Sequence, residues 1–286
     1  MDRLTLSPQL RNKYEELQAL LAELGGAVVA FSGGVDSTLL VKVAHQVLGP
    51  NLLAVIATSE TYPEKETREA VRLAESMGVR HRVIESCEME NPDFVNNPPE
   101  RCYFCKMELF QQIWTIAEEE KIPHVLDGAN FEDTGDYRPG SKAAAELHVR
   151  SPLKELGFMK DDIRELSRIL GLPTWDKPAM ACLSSRFPYH TKIESRALHQ
   201  IAQAEEYLRG LGFTQLRVRH HGHIARIEVP PEDIARLTDL PLRRAVVDRL
   251  KGLGYAYVTV DLAGYRTGSL NEILPAQDRR ATDKAG

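Results

Sequence analysis

A short stretch near the N-terminus, AVVAFSGGVDSTLL (residues 27–40), places small and polar residues between two apolar runs. Two glycines, two serines and an aspartate stand together in SGGVDS, where a strand is expected to end and a helix to begin. Glycines let the backbone approach a ligand closely, and a helix N-terminus presents N–H groups without partners. The stretch therefore predicts an anion site. It is neither a Walker loop nor a dinucleotide fingerprint, and it lacks the lysine that a Walker loop uses on phosphates.

Three cysteines form the second group that could do chemistry. Cys102 and Cys105 form a C-x-x-C in ERCYFCK, and Cys182 lies in the irregular stretch MACLSSR. Three thiolates are one short of a closed structural zinc site, whereas an open [4Fe–4S] cluster leaves one iron without a protein ligand. A cluster is the favoured interpretation, with zinc, a redox pair and inert thiols as alternatives. Cys87 is expected to be an inert, small apolar residue.

These groups need a scaffold, and the hydrophobic pattern predicts one. Short apolar strands at residues 27–31, 52–58, 82–84 and 124–126 alternate with helices at 38–48, 63–77 and 104–120. Such alternation is typical of βαβ units on a parallel sheet, where ligands bind at the carboxyl ends of the strands. The sequence LDGAN (residues 126–130) follows one of these strands, as Ser32 does, so both are expected at the same edge.

A smaller unit is predicted after the parallel sheet. A helix at residues 195–211 precedes two strands that resemble a hairpin, QLRVRH and HIARIEV. Helical segments near 231–239 and 242–253 and a last strand, YAYVTVDL, complete an α+β pattern. We therefore predict an α/β chain with a parallel-sheet domain over residues 1–190, a C-terminal α+β domain over 191–275 and a disordered tail over 276–286.

The bulk composition excludes several classes of protein. The formal net charge of −5 argues against wholesale binding to nucleic acid or to an anionic membrane. No stretch approaches the roughly 20 apolar residues of a membrane span, and the N-terminus lacks the pattern of a signal peptide. Clustered cysteines without a disulfide framework suit a reducing compartment, so we expect a cytoplasmic protein without membrane partners.

The pattern S-G-G-x-D-S resembles the PP-loop of the ATP pyrophosphatase superfamily, whose sheet domain is of the adenine nucleotide alpha hydrolase-like type. The resemblance implies that ATP is split between the α- and β-phosphates and that AMP goes to a substrate oxygen. It implies that Asp36 takes part in catalysis by helping to hold Mg²⁺. It also implies that the β- and γ-phosphates, which leave as pyrophosphate, are held by the loop residues Ser32, Gly33, Gly34 and Ser37, so that these four and Asp36 form the ATP site.

Beyond the loop, the chain resembles the LarE family of sulfur transferases, which act in the biosynthesis of the nickel-pincer cofactor of lactate racemase. The resemblance covers about residues 10–275 and rests on AFSGGVDSTLL, LDGAN with DYRPG, SSRFPY, RVRHH with ARIE, and YVTVDLAGYRTGSLNE. It implies pyridinium-3,5-dicarboxylic acid mononucleotide as the substrate. A carboxylate is a poor electrophile, so the family adenylates it and then replaces the activated oxygen with sulfur, which gives a thiocarboxylate.

The cysteines distinguish two branches of that family. Sacrificial members carry a single cysteine at the position of Ala181 and convert it to dehydroalanine when they give up its sulfur. This chain instead resembles the branch in which three cysteines, here Cys102, Cys105 and Cys182, hold a [4Fe–4S] cluster. The resemblance therefore implies repeated turnover with an external sulfide donor, with Cys182 in the catalytic machinery.

Four arginines are candidates for anion binding. Arg217 and Arg219 alternate along one strand, so both are expected on one face of it. The resemblance implies that this pair binds the phosphate of the mononucleotide, which suits the guanidinium group. Arg138 and Arg186 are further candidates for contacts with phosphate or AMP.

The remaining expectations concern metal ions and assembly. Glu205 and Glu228 match acidic positions that are associated with metal in the family, although Arg236 stands where a third acid is expected. Three histidines at the predicted hairpin turn favour a solvated turn over a nickel site, namely His220, His221 and His223. The family forms higher oligomers, so a homo-oligomer is expected.

Two other functions remain open from the sequence. A tRNA thiolase also combines a PP-loop with three cysteines, but it needs a basic face and an RNA-binding appendage, and the net charge of −5 argues against this function. A module that binds ATP or metal without turnover is the alternative that is not an enzyme. Pyrophosphate release with candidate carboxylates separates the module from the enzyme, and tRNA binding separates the two enzymes.

Overall fold

The computed structural model describes residues 6–135, 139–178, 181–266 and 268–273, so Arg138 and the predicted tail lie outside the described residues. The described chain divides into two compact units. Residues 6–88 and 102–178 form the first unit, and residues 89–101 and 181–273 form the second. None of the described helices combines the length and the apolar composition that a membrane span requires.

The first unit is built on a four-stranded sheet in the order β3-β2-β1-β4, and its neighbouring strands are parallel. The strands are β1 (Ala27–Ala30), β2 (Leu52–Thr58), β3 (His81–Glu85) and β4 (Val125–Leu126). The helices of this unit are α1 (Pro8–Leu24), α2 (Val35–Leu48), α3 (Glu64–Ser76), α5 (Arg101–Glu119), α6 (Pro139–Glu146), α7 (Pro152–Glu155) and α8 (Lys160–Ile169). The predicted α/β class with a parallel sheet is confirmed.

Apolar side chains cover the sheet of the first unit in two clusters, as a parallel sheet requires. One cluster joins β1 and β2 to α1, α2, α3 and α8 and includes Leu17, Leu39 and Leu166. The other joins the sheet to α5 and includes Val28 and Phe110. Because these residues are fully or nearly fully buried, the sheet is a rigid support for the loops at its carboxyl edge.

The second unit contains a three-stranded sheet in the order β5-β6-β7. Its strands are β5 (Arg217–His221), β6 (Ile224–Glu228) and β7 (Tyr257–Val260), and its helices are α4 (Pro92–Val95), α9 (Ser195–Gly210), α10 (Pro231–Thr238) and α11 (Leu240–Gly252). The predicted hairpin is present, since β5 and β6 are antiparallel neighbours. Strand β7 is parallel to β6 because α10 and α11 form the crossover connection between them.

The segments 89–101 and 181–190 belong to the second unit, whereas the sequence placed both in the first predicted domain. Backbone hydrogen bonds join them, from His190 N–H to Asn97 O (2.9 Å) and from Ile193 N–H to Val95 O (2.8 Å). The Asn97 side chain also donates to Pro188 O at 2.7 Å. Local periodicity does not reveal hydrogen bonds between segments that are distant along the chain. The predicted domain boundary at residue 190 remains a proposal.

Candidate active site

The glycine loop lies between β1 and α2, at the carboxyl edge of the sheet. Gly33 has a φ of +69°, and Gly34 is the N-cap of α2 without a side-chain capping bond. The two loop serines hold the turn together, because Ser32 Oγ lies 3.1 Å from Ser37 Oγ and accepts the Gly34 N–H at 3.3 Å. The N-terminus of a fourteen-residue helix therefore begins at the loop, as an anion site requires.

Gly128, in the LDGAN sequence, lies directly against this loop. A Cβ atom on Gly128 would lie 2.9 Å from both the Cα and the backbone N of Ser37, which is too close for any other residue type. The glycine therefore allows the segment after β4 to approach the first turn of α2. This packing brings residues 127–130 to the site, as the predicted shared edge of the sheet required.

Asp36 is held by two side chains of the same unit. Lys160 Nζ, at the start of α8, lies 2.6 and 2.8 Å from the two carboxylate oxygens of Asp36. The amide nitrogen of Asn130 donates to the same carboxylate at 3.3 Å. Lys160 was not predicted from the sequence, where its only local signal is a basic residue at the start of the helix KDDIRELSRI. The loop thus receives from a distant helix a lysine that its own sequence lacks.

A second lysine from outside the loop lies near Gly33. Lys177 Nζ donates to Gly33 O at 3.3 Å and lies 2.8 Å from Glu66 and 3.3 Å from Glu69, both on α3. Arg164 of α8 donates to the backbone carbonyl of Lys177 at 3.0 Å, so the segment that carries this lysine is fixed. Lys177 was not predicted from the sequence either.

Asp127, at the end of β4, is a further acidic group on this edge. Its Oδ1 accepts hydrogen bonds from Ser151 Oγ (2.6 Å) and from Ala129 N–H (3.1 Å). Burial raises the pKa of Asp127, because the two hydrogen bonds only partly offset the loss of hydration. The carboxyl group therefore has a stronger tendency to bind a proton than an exposed aspartate.

In the second unit, a buried ion pair supports the segment that carries Cys182. Arg186 donates to Glu205 through Nε at 2.8 Å and through a terminal nitrogen at 2.9 Å, and both side chains are fully buried. The same guanidinium donates to the carbonyl of Cys182 at 2.9 Å. Burial alone would raise the pKa of Glu205, but the charges of Arg186 and Arg209 outweigh it and lower that pKa. Glu205 is therefore a stable anion that orients Arg186.

Arg219 is engaged in a similar way on β5. Its guanidinium forms two bonds of 2.9 Å with Glu228 on the neighbouring strand β6. It also donates at 2.7 Å to the carbonyl oxygen of Ser185, which lies in the short 3-10 turn after Cys182. Arg226 approaches the same Glu228 at 2.9 Å. The carboxylate of Glu228 is thus shared between two arginines.

Arg217 differs from its neighbours on this face. It is buried, donates to Leu216 O at 2.7 Å and to the hydroxyl of Tyr265 at 3.4 Å, and lies 5.1 Å from the Tyr265 ring centre. Among the described residues, no carboxylate oxygen comes within 4.0 Å of it. Burial, reinforced by the positive charge of Arg186, lowers the pKa of Arg217. A buried cation in this position gains stability when an anionic ligand binds.

A small cavity of about 140 Å³ lies on the same face of the second unit. Its walls are predominantly basic and include Arg186, Arg219, His221, Arg226 and Arg266. One acidic residue, Glu272, also contributes and is bound to Arg266 at 2.9 and 3.0 Å. The second unit therefore contains Cys182, a basic cavity and three of the four predicted arginines, namely Arg186, Arg217 and Arg219.

The predicted metal role of Glu205 and Glu228 has no support in this geometry. The oxygens of both side chains already accept hydrogen bonds from arginines. Within the described ranges, no three His, Cys, Asp or Glu side chains are grouped as a metal site. The two carboxylates instead neutralise and orient the arginines of this face.

The predicted cluster ligands are divided between the units. Cys102 and Cys105 lie in the first turns of α5, in the first unit, whereas Cys182 lies just before a 3-10 turn of the second unit. Cys102 is exposed and the other two are partly buried. Cysteine sulfur is a ligand of both iron–sulfur clusters and zinc, so the donor set suits iron or zinc. Cys87 is exposed rather than a buried apolar residue.

Three histidines were predicted to lie in a solvated turn, and two of them are exposed to solvent as expected. His221 and His223 are exposed, whereas His220 is half-buried, with its ring 5.2 Å from that of Phe187 and 5.7 Å from that of Tyr255. Burial lowers the pKa of His220, which favours the neutral ring.

Comparison with known proteins relates this arrangement to enzymes. The family profile of NAD synthase matches residues 10–91, which include the glycine loop. A pyridinium-3,5-bisthiocarboxylic acid mononucleotide synthase of Lactiplantibacillus plantarum is 42% identical over 93% of this chain and 96% of its own length. An uncharacterized protein of Synechocystis is 45% identical over 93% of this chain and 99% of its own. A glutamine-hydrolyzing GMP synthase component of Methanopyrus kandleri is 30% identical but aligns with only 56% of this chain.

Proposed function

The chain belongs to the LarE family of ATP-dependent sulfur transferases, and we propose on that premise that it thiolates a carboxylated pyridinium mononucleotide. The observation that carries the proposal is the 42% identity to a synthase of a bisthiocarboxylic acid mononucleotide over 96% of that protein. A match over 93% of this chain extends across both units. It favours pyridinium-3,5-dicarboxylic acid mononucleotide over tRNA as the substrate, and an enzyme over a non-catalytic module.

The first step that we propose is adenylation at the glycine loop. A carboxylate oxygen of the substrate attacks the α-phosphorus of ATP, the bond to the oxygen that bridges to the β-phosphate breaks, and pyrophosphate leaves. Negative charge gathers on that leaving group, where the N–H groups at the N-terminus of α2 and the hydroxyls of Ser32 and Ser37 can donate to it. The acyl-adenylate has AMP as a good leaving group.

Lys160 and Mg²⁺ would share the task of balancing charge at Asp36. Mg²⁺ is usually held by one or two carboxylates together with substrate phosphates, so a site that Mg²⁺ reaches with ATP needs no three-carboxylate cluster. Asp36 offers such a hard oxygen ligand at the loop, and Lys160 neutralises it in the structure at 2.6 Å. Asp36 would hold the cation, which would supply positive charge to the phosphates, and Lys160 would add its own charge at the same loop.

Substrate binding is assigned to the arginine-rich face of the second unit. Arg217 is the anchor that we propose for the phosphate of the mononucleotide, because no described carboxylate neutralises it. Arg219 and Arg186 contribute positive charge while Glu228 and Glu205 hold their orientation. Arg138 remains a candidate for AMP or phosphate binding, on the resemblance alone.

The second step that we propose replaces the activated oxygen with sulfur. A sulfide attacks the carboxyl carbon of the acyl-adenylate, the carbon–oxygen bond to AMP breaks, and AMP leaves with that oxygen. Cys102, Cys105 and Cys182 would hold a [4Fe–4S] cluster, which, when bound, supplies an iron site for external sulfide. The donor set fits it, because three thiols occur without a fourth sulfur ligand in the same motifs.

The setting of the enzyme follows from this chemistry. Thiolates and an exposed cluster persist in a reducing compartment, so we propose that the protein acts in the cytoplasm. We also propose an external sulfide donor and a homo-oligomer, as in the family that the chain resembles.

The proposal is tested by pyrophosphate release and by product mass. Wild-type protein is incubated anaerobically with ATP, Mg²⁺, sulfide and pyridinium-3,5-dicarboxylic acid mononucleotide. We expect pyrophosphate release that depends on the mononucleotide, and a product in which sulfur replaces oxygen. Release that is equal with and without the mononucleotide, or release with tRNA instead, would overturn the proposed substrate.

Two variants connect this assay to the loop. Asp36→Ala is expected to abolish pyrophosphate release, and Lys160→Met is expected to lower it about 10- to 100-fold, in line with the loss of one charged transition-state contact. Lys142→Met is the matched control, because its side chain is 71% exposed on α6. Thermal unfolding shows whether each variant is folded. Normal release by a folded Asp36→Ala protein would contradict the role of the loop.

A further inference from the structure

Lys177 is related to the glycine loop through one peptide unit, the one between Gly33 and Gly34. Its Nζ lies 3.3 Å from the carbonyl oxygen of Gly33. In a planar trans peptide the C=O and the following N–H point in opposite directions. The Gly34 N–H therefore points away from the ammonium group, and it donates to Ser32 Oγ at 3.3 Å. This N–H is one of the first donors of the anion site.

Within the loop, the orientation of this peptide is supported by the long hydrogen bond of 3.3 Å from the Gly34 N–H to Ser32 Oγ. Gly33 has a φ of +69° and Gly34 a φ of −78°, and glycine accepts either sign of φ at little cost. The space behind the carbonyl is open, because Gly33, Glu69 and Lys177 line a cavity of about 540 Å³. A rotated peptide would present a carbonyl oxygen to the phosphate in place of an N–H.

The lysine itself is firmly held. Glu66 and Glu69 lie on successive turns of α3 and bind its ammonium group at 2.8 and 3.3 Å. Arg164 holds the backbone of the same segment through the carbonyls of Trp175 and Lys177, at 2.7 and 3.0 Å. The Lys177 side chain is only 18% exposed, so water competes weakly for these contacts. A fixed donor of this kind selects one orientation of the peptide.

Helix α3 also contacts the glycine loop directly. A Cβ atom on Gly33 would lie 3.0 Å from Ala70 Cβ, so the helix packs directly on this residue. Ala70 and the two glutamates are all on α3, so the helix both contacts Gly33 and anchors the lysine that binds it. The loop is thus backed by an element outside the S-G-G-x-D-S motif.

We propose that Lys177 is a positioning residue that keeps the Gly34 N–H turned towards the pyrophosphate site. This inference rests on the proposed function, since it concerns the anion that the loop binds. Lys177 acts through the peptide rather than by touching the phosphate. A preformed donor costs no reorganisation when the leaving group develops its charge, so the effect is expected on binding and on release alike.

The test uses magnesium pyrophosphate as the probe, with calorimetry for affinity and the pyrophosphate-release assay for turnover. Lys177→Met keeps most of the side-chain stem but removes the donor, and it should weaken pyrophosphate binding about tenfold. Lys177→Arg keeps charge and donors and should remain within about threefold of wild type. Lys65→Met is the matched control, because Lys65 also approaches Glu69, at 3.7 Å, but has a 71% exposed side chain; it should change affinity less than about twofold.

A second substitution distinguishes positioning from direct contact. Rotation of the peptide takes φ of residue 34 from −78° to about +100°, which alanine resists and glycine does not. In a Gly34→Ala protein the rotated state of the peptide is unfavourable even when the lysine is absent. Lys177→Met should therefore lower the affinity for pyrophosphate by less than about threefold in that background. A Cβ at this position lies 3.3 Å from Ser32 Oγ, so Gly34→Ala is used only as the reference for this cycle.

The outcomes separate this inference from the proposed function. If wild type fails to bind pyrophosphate, the proposed function fails. If wild type binds it and Lys177→Met binds equally well, only the positioning role is overturned. Additive losses in the double variant would also overturn it, because they indicate direct contact with the phosphate. If Lys177→Met does not fold, Lys177→Gln, which keeps an uncharged N–H donor, is used in the same cycle with a smaller expected loss.

Discussion

Single charges decide what each part of the site can bind. The carboxylate of Asp36 would repel phosphate, yet it stands at the start of the helix that is suited to an anion. Lys160 removes that conflict through contacts of 2.6 and 2.8 Å. In the second unit the signs are reversed, because the carboxylates of Glu228 and Glu205 neutralise arginines that would otherwise be buried without a counter-charge.

Arg217, which forms no ion pair with a described carboxylate, gives the first prediction at the scale of single residues. Arg217→Ala should weaken binding of the mononucleotide by about 1.5–3 kcal/mol, the usual value of a charge-assisted hydrogen bond, and leave ATP binding unchanged. The reason is that Arg217 has no described carboxylate partner and is free to bind a phosphate. Arg244→Ala on α11, at an exposed position, is the control. Calorimetry with each ligand measures the effect, and equal losses for both ligands would contradict it.

The second prediction concerns Asp127 and pH. Burial raises its pKa in the folded state, so the folded state binds this proton more tightly than the unfolded state does. This group therefore lowers the free energy of unfolding as pH rises above its ordinary pKa of about 3.9. Asp127→Asn keeps an oxygen that can accept the bonds from Ser151 and Ala129, so it should be at least as stable as wild type at neutral pH.

Urea unfolding across the acidic and neutral range measures this difference. The difference in the free energy of unfolding between Asp127→Asn and wild type should shrink as pH falls, because Asp127 of the wild type then becomes protonated in both the folded and the unfolded state. Asp176→Asn, at an exposed position of the same unit, is the control substitution. An Asp127→Asn protein that is less stable at neutral pH and recovers in acid would mean that the charged form is the favoured one.

At the scale of elements, the site depends on how closely the segment after β4 approaches α2. Gly128 makes that approach possible, because a Cβ there would lie 2.9 Å from the backbone of Ser37. Helix α8 then places Lys160 beside Asp36, and the segment after α8 places Lys177 beside Gly33. The site at the loop therefore depends on contacts from the segment after β4, from α8 and from the segment after α8, as well as on the loop's own sequence.

Gly128→Ala tests this packing. The added methyl group should push the segment after β4 away from Ser37, lower the free energy of unfolding by about 1–3 kcal/mol and reduce pyrophosphate release. Gly26→Ala is the matched control, since its nearest contact would be an ordinary 3.5 Å. Denaturant unfolding and the release assay measure the two effects. A Gly128→Ala protein with unchanged stability and release would show that the approach is not required.

At the scale of the whole molecule, the cysteines belong to both units, with Cys182 in the second and the C-x-x-C in the first. We expect Cys102→Ala, Cys105→Ala and Cys182→Ala each to lose iron and sulfur transfer but to keep pyrophosphate release. Adenylation is retained because it uses the separate glycine loop.

Anaerobic reconstitution followed by iron and sulfide analysis measures this loss. Cys87→Ala is the control, because Cys87 is exposed and outside the predicted ligand set. Whole-protein mass before and after turnover is the second readout, since a cluster ligand keeps its sulfur. Formation of dehydroalanine at Cys182, or full sulfur transfer by Cys102→Ala, would contradict the cluster.

Much of the fold and part of the site could be predicted from the sequence. The strand at 52–58 was predicted with its observed bounds, and α3, α5 and α9 were found within a few residues of their ends. Helices α6 and α7 were missed because they are short, and short helices carry little periodicity. Glu205 and Glu228 were expected near metal, but their partners are arginines that the fold brings to them.

The sequence by itself determined the glycine loop, the parallel-sheet class and the candidate cysteines, because those features depend on residues that are close along the chain. Tertiary structure alone decided that Lys160 neutralises Asp36, that Lys177 faces Gly33, and that Arg219 but not Arg217 has a carboxylate partner among the described residues. The physical reason is that a helix start or a strand follows from local spacing, whereas an ion pair depends on where two distant elements pack.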